Sequence, residues 1–313
     1  MPNSIESSRG HAEAGERPIL LTGGSGQVGT ALRQLAPAGW AIHAPTRAEL
    51  DLGSPEQIAQ LVASRPWAAI INAGAYTAVD RAQDDVVAAW RINALGPAAL
   101  AQAAATIGAP LVHISTDYVF DGRLDRPYRE TDAVGPINVY GASKLGGELA
   151  VRTAHARHVT LRTAWVVSAT GSNFVKTMLR LGAERPLLRV VDDQRGCPTT
   201  ADDIAAAITV VANRLMDDPD APAGAYHFVG QGEATWCELA KAVFAAAAEN
   251  GARIPEVQPI STADYPTPAA RPRNSVLDTT RITRDYGIAP QPWLAAVRKV
   301  VQQLAVPAAA GVS

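Results

Sequence analysis

The chain has 313 residues, of which 28 are Lys or Arg and 30 are Asp or Glu, so its formal net charge at pH 7 is −2. Proteins that bind nucleic acid usually carry a clear basic excess, so this balance argues against such a partner. Hydrophobic residues make up 47% of the chain, which is typical of globular proteins, and no apolar run approaches the ~18 residues of a membrane span. The two cysteines, Cys197 and Cys237, are too few for a disulfide framework. Together these features predict a cytoplasmic protein that contacts no membrane.

Residues 1–16 are polar and lack an apolar core, which predicts a disordered tail rather than a signal peptide. From residue 18 onward, short apolar runs alternate with helical patterns. The predicted strands cover 18–22, 40–44, 68–73, 111–115 and 160–164. The predicted helices cover 30–35, 55–64 and 86–107, with Ser54 placed to cap the second one. This alternation predicts an α/β fold with a Rossmann-type, doubly wound parallel sheet.

The alternation becomes less regular beyond residue 165. We therefore expect a dinucleotide-binding Rossmann domain over 17–165 and a smaller C-terminal part over 166–313, mainly substrate-binding and interleaved with the first. Prolines cluster between Pro255 and Pro272, which predicts a looped segment over 255–275. An amphipathic stretch over 293–304 predicts a final helix, followed by a frayed Ala/Gly tail.

A glycine-rich turn separates the first predicted strand from the helix that follows. It fits two spacings, Gly24-x-Gly26-x-x-Gly29 and Gly23-x-x-Gly26-x-x-Gly29. Glycines in such a turn let the backbone approach a pyrophosphate, while the helix N-terminus supplies NH groups and a positive dipole. A simple glycine turn is the alternative, but the strand–turn–helix context favours a dinucleotide site.

Dinucleotide folds usually place a carboxylate at the end of the second strand, where it binds the adenosine ribose. Here that place holds Pro45-Thr46-Arg47, with no carboxylate. Arg47 is suited to pair with the 2′-phosphate of NADP(H), and a solvated surface arginine is the alternative. Asp51, followed by Leu52, is a candidate contact for the adenine amino group.

Tyr140 and Lys144 are four residues apart. On a helix this spacing places the phenol and the ammonium on one face. The lysine charge would lower the pKa of the phenol, so that it could exchange a proton with an alcohol or a carbonyl group. Upstream, a predicted strand ends at Ser115-Thr116-Asp117, and ligands of such sheets bind beyond the strand ends. We therefore predict that Thr116 meets Tyr140 at one site.

These motifs, together with Asn72-Ala73-Gly74-Ala75 after the third predicted strand, resemble those of the extended short-chain dehydrogenase/reductase superfamily. Longer strings are similar to the dTDP-4-dehydrorhamnose reductase family within it; they lie at 75–80, 115–122, 161–166, 192–199 and 271–275. The resemblance spans about residues 18–305. The chain departs from the family at Thr46, where many members carry an acidic residue, so the family's coenzyme preference does not transfer.

The resemblance implies that a hydride from NADPH or NADH, with NADPH favoured, reduces the 4-keto group of a dTDP-sugar. The implied catalytic residues are Thr116, Tyr140 and Lys144. The implied coenzyme-binding residues, besides Tyr140 and Lys144, are Gly23, Gly26, Gln27, Val28, Gly29, Thr46, Arg47, Asp51, Leu52, Ala73, Gly74 and Ala75. The implied substrate-binding residues are Thr116, Asp117, Trp165, Asn173 and Arg271. A core position for Trp165 and surface ion pairing for Arg271 are the alternatives.

Two other functions remain open from the sequence. One is another sugar-nucleotide enzyme, an epimerase or a 4,6-dehydratase, although a dehydratase normally has Asp-Glu after the threonine and this chain has Asp117-Tyr118. The other is a non-catalytic subunit like the regulatory subunit of methionine adenosyltransferase, which resembles the same reductases. The family suggests a homodimer, and some members use magnesium at a dimer contact. His155 and His158 lack a third ligand nearby, so no metal ligand is predicted.

Overall fold

The computed structural model describes residues 15–305, so the predicted N-terminal tail, except its last two residues, and the predicted C-terminal tail from 306 lie outside the described residues. The strands are β1 (Arg17–Thr22), β2 (Trp40–His43), β3 (Ala69–Asn72), β4 (Leu111–Thr116), β5 (His158–Thr163), β6 (Val166–Val167), β7 (Leu187–Val191), β8 (Arg195–Gly196), β9 (Thr199–Thr200), β10 (Gly224–His227), β11 (Ala234–Thr235) and β12 (Glu256–Ile260). The α-helices are α1 (Gln27–Gln34), α2 (Pro55–Ala63), α3 (Val86–Trp90), α4 (Gly96–Ile107), α5 (Val139–Ala154), α6 (Phe174–Glu184), α7 (Ala201–Asp217), α8 (Trp236–Ala248), α9 (Thr280–Tyr286) and α10 (Trp293–Ala305). Within the described range, none of these helices is long and apolar enough to cross a bilayer.

Six strands form one sheet in the order β10-β5-β4-β3-β1-β2, and all neighbours in it are parallel. The strand order changes direction between β1 and β3, because the chain first adds β2 on one side and then continues on the other. This arrangement confirms the predicted Rossmann-type, doubly wound fold.

The continuous apolar run of β1 is explained by burial on both faces of the sheet. Ile19 and Leu21 face a core shared with α7, whereas Leu20 faces a second core shared with α2 and α4. All three side chains are completely buried. Helices therefore cover the sheet on both sides, as parallel strands require.

The two parts of the chain are interleaved in space. After leaving the sheet at β5, the chain returns to supply α7, which packs beside α1, and β10, which pairs with β5. A separate core lies between α6, α8 and α10, with the two-stranded parallel pair β7–β12 against it. This second core lies next to the carboxyl ends of the main strands, because β6 follows β5 directly.

The prediction of a looped segment over 255–275 is wrong at its start. Residues 256–260 form β12, which pairs in parallel with β7, and a short 3₁₀ turn follows at 262–264. Glu256 donates its NH to the Pro186 carbonyl, and Ile260 accepts from the NH of Asp192. Pro259 therefore occupies the alternate register position of an edge strand, where its missing NH removes no ladder bond.

The predicted helix over 86–107 is continuous but irregular. Its middle, Arg91–Leu95, is a π-helical turn between α3 and α4.

Two other helix predictions can be compared with the structure. The predicted cap of α2 at Ser54 is confirmed, since its hydroxyl accepts from Gln57 NH. Helix α1 begins three residues earlier than predicted.

A buried ion pair ties α5 to the sheet. Arg162 on β5 donates from Nε and Nη2 to the carboxylate of Glu148 on α5, with a shortest distance of 2.7 Å. Both side chains are less than a tenth exposed. The guanidinium also lies over the ring of Phe120, 5.1 Å from its centre. The pair therefore holds the helix that carries Tyr140 and Lys144 against the strand beside it.

We expect Glu148→Ala to lower the free energy of unfolding by about 3–5 kcal/mol, because it leaves the buried Arg162 charge without a partner. Glu148→Gln, which keeps one acceptor oxygen for Arg162, should cost less. The matched control is Glu184→Ala, which breaks the exposed Arg180–Glu184 pair and should cost at most about 1 kcal/mol. Urea unfolding measures all three. Equal losses at the buried and exposed pairs would contradict this account.

Candidate functional site

The carboxyl ends of the central strands open into one cleft. Strands β1, β3, β4 and β5 end at Thr22, Asn72, Thr116 and Thr163, and the cleft above them has a volume of about 1040 Å³. Most of the predicted site residues line it: Gly23, Gly26, Gln27, Val28, Arg47, Asp51, Leu52, Ala73, Gly74, Ala75, Thr116, Asp117, Tyr140, Lys144 and Trp165. Residues predicted to bind coenzyme and residues predicted to bind substrate thus share one space.

The glycine turn forms a tight backbone cradle at one end of the cleft. Gly23 has a φ of +72°, and the NH of Gly26 donates to the Gly23 carbonyl at 2.9 Å. A Cβ at Gly29 would lie 2.1 Å from that same carbonyl oxygen, so only glycine fits there. Helix α1 begins at Gln27 with its NH groups facing the cradle end. The residues present therefore fit the pyrophosphate of a dinucleotide.

The end of the cleft predicted to hold adenosine has a basic residue and no free carboxylate at the end of β2. Arg47 is exposed and lines the cleft. Thr46 does not line it; its NH donates to the Glu49 carboxylate. Asp51 lines the cleft, but one carboxylate oxygen accepts from Arg91 at 2.8 Å. The arrangement leaves Arg47 as the charged group available to a phosphate.

Tyr140 and Lys144 project from the first two turns of α5 into the cleft, where they meet Thr116 at the end of β4. The helix starts there because Asn138 caps it: its side-chain oxygen accepts from Gly141 NH at 2.8 Å. A Cβ at Gly141 would lie 2.1 Å from the Tyr118 carbonyl oxygen, so glycine allows α5 to approach the segment after β4. The three side chains therefore line the same cleft.

The structure corrects the expected protonation of Tyr140. Desolvation raises the pKa of Tyr140 to about 12, and the Asp117 charge adds to this, whereas the Thr116 hydroxyl lowers it. Lys144 donates to the Ile114 carbonyl at 2.6 Å, and burial lowers its pKa to about 8. The expected lowering of the phenol pKa by the Lys144 charge is therefore wrong for this structure, because desolvation dominates the shift. The phenol is thus fully protonated at neutral pH, which is the form that can donate a proton.

Asp117 is a buried carboxyl group with one unused oxygen. Its Oδ1 accepts from the Thr116 hydroxyl at 2.8 Å, while its Oδ2 has no partner within the described part of the chain. Burial raises the pKa of Asp117 to about 6, although the hydrogen bond from the Thr116 hydroxyl opposes the shift. A buried acceptor without a partner costs free energy, so this oxygen is suited to accept a ligand hydroxyl.

Aromatic rings form part of the wall of the cleft. The rings of Trp165 and Trp236 stack with centres 3.5 Å apart and planes 6° apart, and Phe174 packs against Trp236. Trp165 has a φ of +45°, a strained value for a bulky residue. Gly196 makes room for it, since a Cβ there would lie 2.4 Å from the indole. Sequence reasoning found Trp165 but missed Trp236 and Phe174, which no local motif marks.

Two predicted substrate contacts are absent from the lining of the cleft. Asn173 caps α6, and its side-chain NH₂ donates to Gln27 Oε1 at 2.9 Å. Arg271 forms an ion pair with Asp80 at 2.9 Å. Asn173 therefore touches the glycine turn through Gln27, and Arg271 is already engaged by a carboxylate.

The two histidines considered as a metal pair bond to backbone carbonyls instead. The ring of His158 bonds to the His155 carbonyl at 2.5 Å, and the ring of His155 to the Ala109 carbonyl at 2.8 Å. Across residues 15–305, no group of three or more His, Cys, Asp or Glu side chains is arranged to hold a metal ion. Cys197 and Cys237 are buried and unpaired thiols.

Comparison with known proteins identifies relatives along nearly the whole chain. The family model described as "RmlD substrate binding domain" matches residues 17–306. A dTDP-4-dehydrorhamnose reductase of Sinorhizobium fredii is 44% identical over 287 residues, covering 91% of this chain and 97% of the relative. The Escherichia coli K12 protein of the same name is 41% identical, with the same coverage.

Solved structures give the same relationship. A Bacillus anthracis dTDP-4-dehydrorhamnose reductase in complex with NADP superposes with a TM-score of 0.85 at 36% identity, covering 92% of this chain and 99% of the other. A Thermus thermophilus UDP-glucose 4-epimerase in complex with NAD is 22% identical and has a TM-score of 0.75, covering 92% and 99%. At that identity the likeness to the epimerase concerns the fold alone.

The buried carboxyl of Asp117 should cost stability at neutral pH. Because its pKa is raised from 3.8 to about 6, the native state holds a proton that the unfolded chain has released, so stability falls as pH rises through this range. Asp117→Asn keeps an acceptor for Thr116 but cannot ionise. We expect it to be more stable than the wild type by on the order of 1–3 kcal/mol near pH 8 and by almost nothing near pH 4.

Asp132→Asn is the control of opposite sign, since Arg126 holds the pKa of the Asp132 carboxyl well below its usual range. That variant should lose stability by nearly the same amount near pH 8 and near pH 4, because the stabilisation from a lowered pKa is lost only below the ordinary value of 3.8. Urea unfolding at the two pH values measures both. If the effect of Asp117→Asn on stability did not change with pH, burial would not be raising the pKa of the Asp117 carboxyl.

Proposed function

Because the chain belongs to the RmlD substrate binding domain family, we propose that it is an NADPH-dependent dTDP-4-dehydrorhamnose reductase. It reduces the 4-keto group of dTDP-4-dehydro-β-L-rhamnose to give dTDP-β-L-rhamnose, the last step of dTDP-L-rhamnose biosynthesis. The observation that carries the proposal is the meeting of Tyr140, Lys144 and Thr116 in the same cleft as the glycine cradle. That combination places a proton donor beside a dinucleotide site.

The coenzyme, when bound, supplies the hydride for the keto carbon. The cradle of Gly23, Gly26 and Gly29 accommodates its pyrophosphate, because a side chain at Gly29 would close the turn. Lys144 lines the cleft and gives one of its three N–H donors to the Ile114 carbonyl, so the other two would be free to hold the nicotinamide ribose. Arg47 pairs with the 2′-phosphate, which favours NADPH over NADH.

Tyr140 donates the proton to the oxygen that becomes the alcohol. Its raised pKa means that the phenol carries its proton until negative charge develops on the substrate oxygen. The Thr116 hydroxyl has one proton, which Asp117 accepts in the structure. In the reaction it turns this proton to the same substrate oxygen, and two donors then stabilise the developing charge.

The substrate sugar lies between these donors and the aromatic wall. Asp117 offers its unused Oδ2 to a sugar hydroxyl, and the Trp165 side chain, which lines the cleft, supplies apolar surface beside the sugar ring. We assign the part of the chain built from α6, α8 and α10 to substrate binding, since Trp236 and Phe174 come from it. The homodimer, the cytoplasmic location and any magnesium requirement stay predictions.

Tyr140→Phe keeps the ring but removes the proton, so we expect kcat to fall by about 10²–10⁴-fold, the usual worth of a positioned acid. NADPH affinity and folding should change little. The assay follows NADPH oxidation and product formation by the purified chain with the 4-keto nucleotide. Binding of both ligands without turnover by the wild type would favour the regulatory-subunit alternative. Retention of more than about a third of kcat in the variant, with chemistry rate-limiting, would overturn the role of Tyr140.

Arg47→Ala should raise the KM for NADPH by about 10-fold or more, the worth of a charged hydrogen bond, and leave the KM for NADH nearly unchanged. The matched control is Arg33→Ala, at another basic residue near the glycine turn that does not line the cleft. Steady-state assays with each coenzyme measure the two ratios. If Arg47→Ala raised the KM for NADPH and the KM for NADH equally, Arg47 would not contact the 2′-phosphate.

A further inference from the structure

A short segment near the C-terminal end of the chain lies on the start of α5. We call residues 269–271 the docking segment. The side-chain NH₂ of Asn138 donates to the carbonyl of Ala270 at 2.8 Å, and the oxygen of the same amide caps α5 at Gly141. One amide therefore joins the docking segment to the helix turn that begins with Tyr140.

Asp80 holds the docking segment from its other side. One carboxylate oxygen of Asp80 accepts from the NH of Ala269 at 3.2 Å, and the other accepts from Arg271 Nη2 at 2.9 Å. Arg271 also donates to the Ala269 carbonyl at 2.8 Å. Ala269 is fully buried and the Arg271 side chain is 16% exposed, whereas the Asp80 side chain is 43% exposed, so these bonds are shielded from water on the Arg271 side. A shielded, multiply bonded pair restrains the backbone better than a surface pair.

The element that carries Asp80 also touches α5 directly. Asp80 precedes a 3₁₀ turn, Arg81–Gln83, and the side chain of Gln83 accepts from the NH of Val139 at 2.8 Å. The start of α5 is therefore bonded on one side to the turn after Asp80 and on the other to the docking segment, and Asp80 joins those two. Tyr118, whose ring packs edge-on to Tyr140 with centres 5.9 Å apart, lies beside the same turn of α5.

We propose that Asp80 and Arg271 are positioning residues for Tyr140. Their ion pair fixes the docking segment, the segment fixes Asn138, and Asn138 fixes the helix turn from which the phenol projects. This inference rests on the proposed function, in which Tyr140 is the proton donor. It gives Arg271 a different task from the diphosphate contact that the sequence suggested.

Loss of the Asp80–Arg271 pair should misplace the Tyr140 phenol and so slow proton transfer. Coenzyme binding should change less, because the glycine cradle makes no contact with Asp80, Arg271 or Asn138. We expect Asp80→Asn and Arg271→Gln each to lower kcat by about 10-fold or more, the usual cost of a small misplacement near the reacting atoms. The Kd for NADPH and its binding stoichiometry should stay within about 2-fold. The solvent deuterium isotope effect on kcat should rise, whereas a mere loss of folded protein would leave it unchanged.

Two further variants make the test specific. Asn138→Asp keeps a cap for Gly141 NH but, when ionised, cannot donate to the Ala270 carbonyl; it should reproduce the loss in kcat. Adding Asp80→Asn to Asn138→Asp should then cause no further loss, because both break the same chain of contacts. The control is Asp132→Asn, which breaks the Arg126–Asp132 pair, made by residues outside the lining of the cleft, and should keep wild-type kcat.

The possible results separate the two assignments. Wild-type kcat in Asp80→Asn, or multiplicative losses in the double variant, would overturn the positioning role. A raised substrate KM in Arg271→Gln with no change in Asp80→Asn would show that Arg271 contacts the diphosphate instead. If Tyr140→Phe stays active, the proton-donor assignment fails whatever Asp80→Asn does. If Asp80→Asn does not fold, Asn138→Asp alone decides, through kcat and the isotope effect.

Discussion

The site depends on the in-register pairing of parallel strands. Thr22 at the end of β1 pairs with Asn72 at the end of β3, and Thr116 at the end of β4 pairs with Thr163 at the end of β5. Each strand rises about 3.3 Å per residue, so a slip of two residues would move Thr116 by about 7 Å relative to its neighbours. A slip of one residue would turn its side chain to the other face of the sheet. Backbone pairing thus sets where the cleft lies before any side chain in it makes a contact.

The features that could be predicted from the sequence are those carried by neighbouring residues. Residues 18–22 are continuously apolar because both faces of β1 are buried. The glycine spacing could be recognised in the sequence because the two glycines in contact, Gly23 and Gly29, are close together in the chain. A Cβ at Gly29 would clash with the Gly23 carbonyl. The Tyr140–Lys144 spacing is readable because one helix face carries both side chains. From these signals, the fold class and the lining of the cleft by its main polar groups could both be predicted.

What the sequence could not reveal depends on residues far apart in the chain. The raised pKa of Tyr140 follows from its burial and from the charge of Asp117, which no spacing along α5 reveals. Trp236 joins the cleft only because α8 packs under Trp165. The sequence leaves open whether Arg271 binds a diphosphate or a carboxylate, and the structure pairs it with Asp80, 191 positions earlier in the chain. Contacts between residues so far apart in the chain leave no periodic pattern or local motif in the sequence.

The interleaved path of the chain has a consequence for folding. During synthesis β5 emerges long before β10, so the sheet has an unpaired edge at β5 until the chain reaches residue 227. The face of β1 that carries Ile19 and Leu21 also waits for α7. A fragment ending at 165 would expose both that edge and that apolar face, which are features that promote aggregation. Residues 17–165 are therefore not expected to fold as an independent unit, because residues from the second half of the chain complete their sheet.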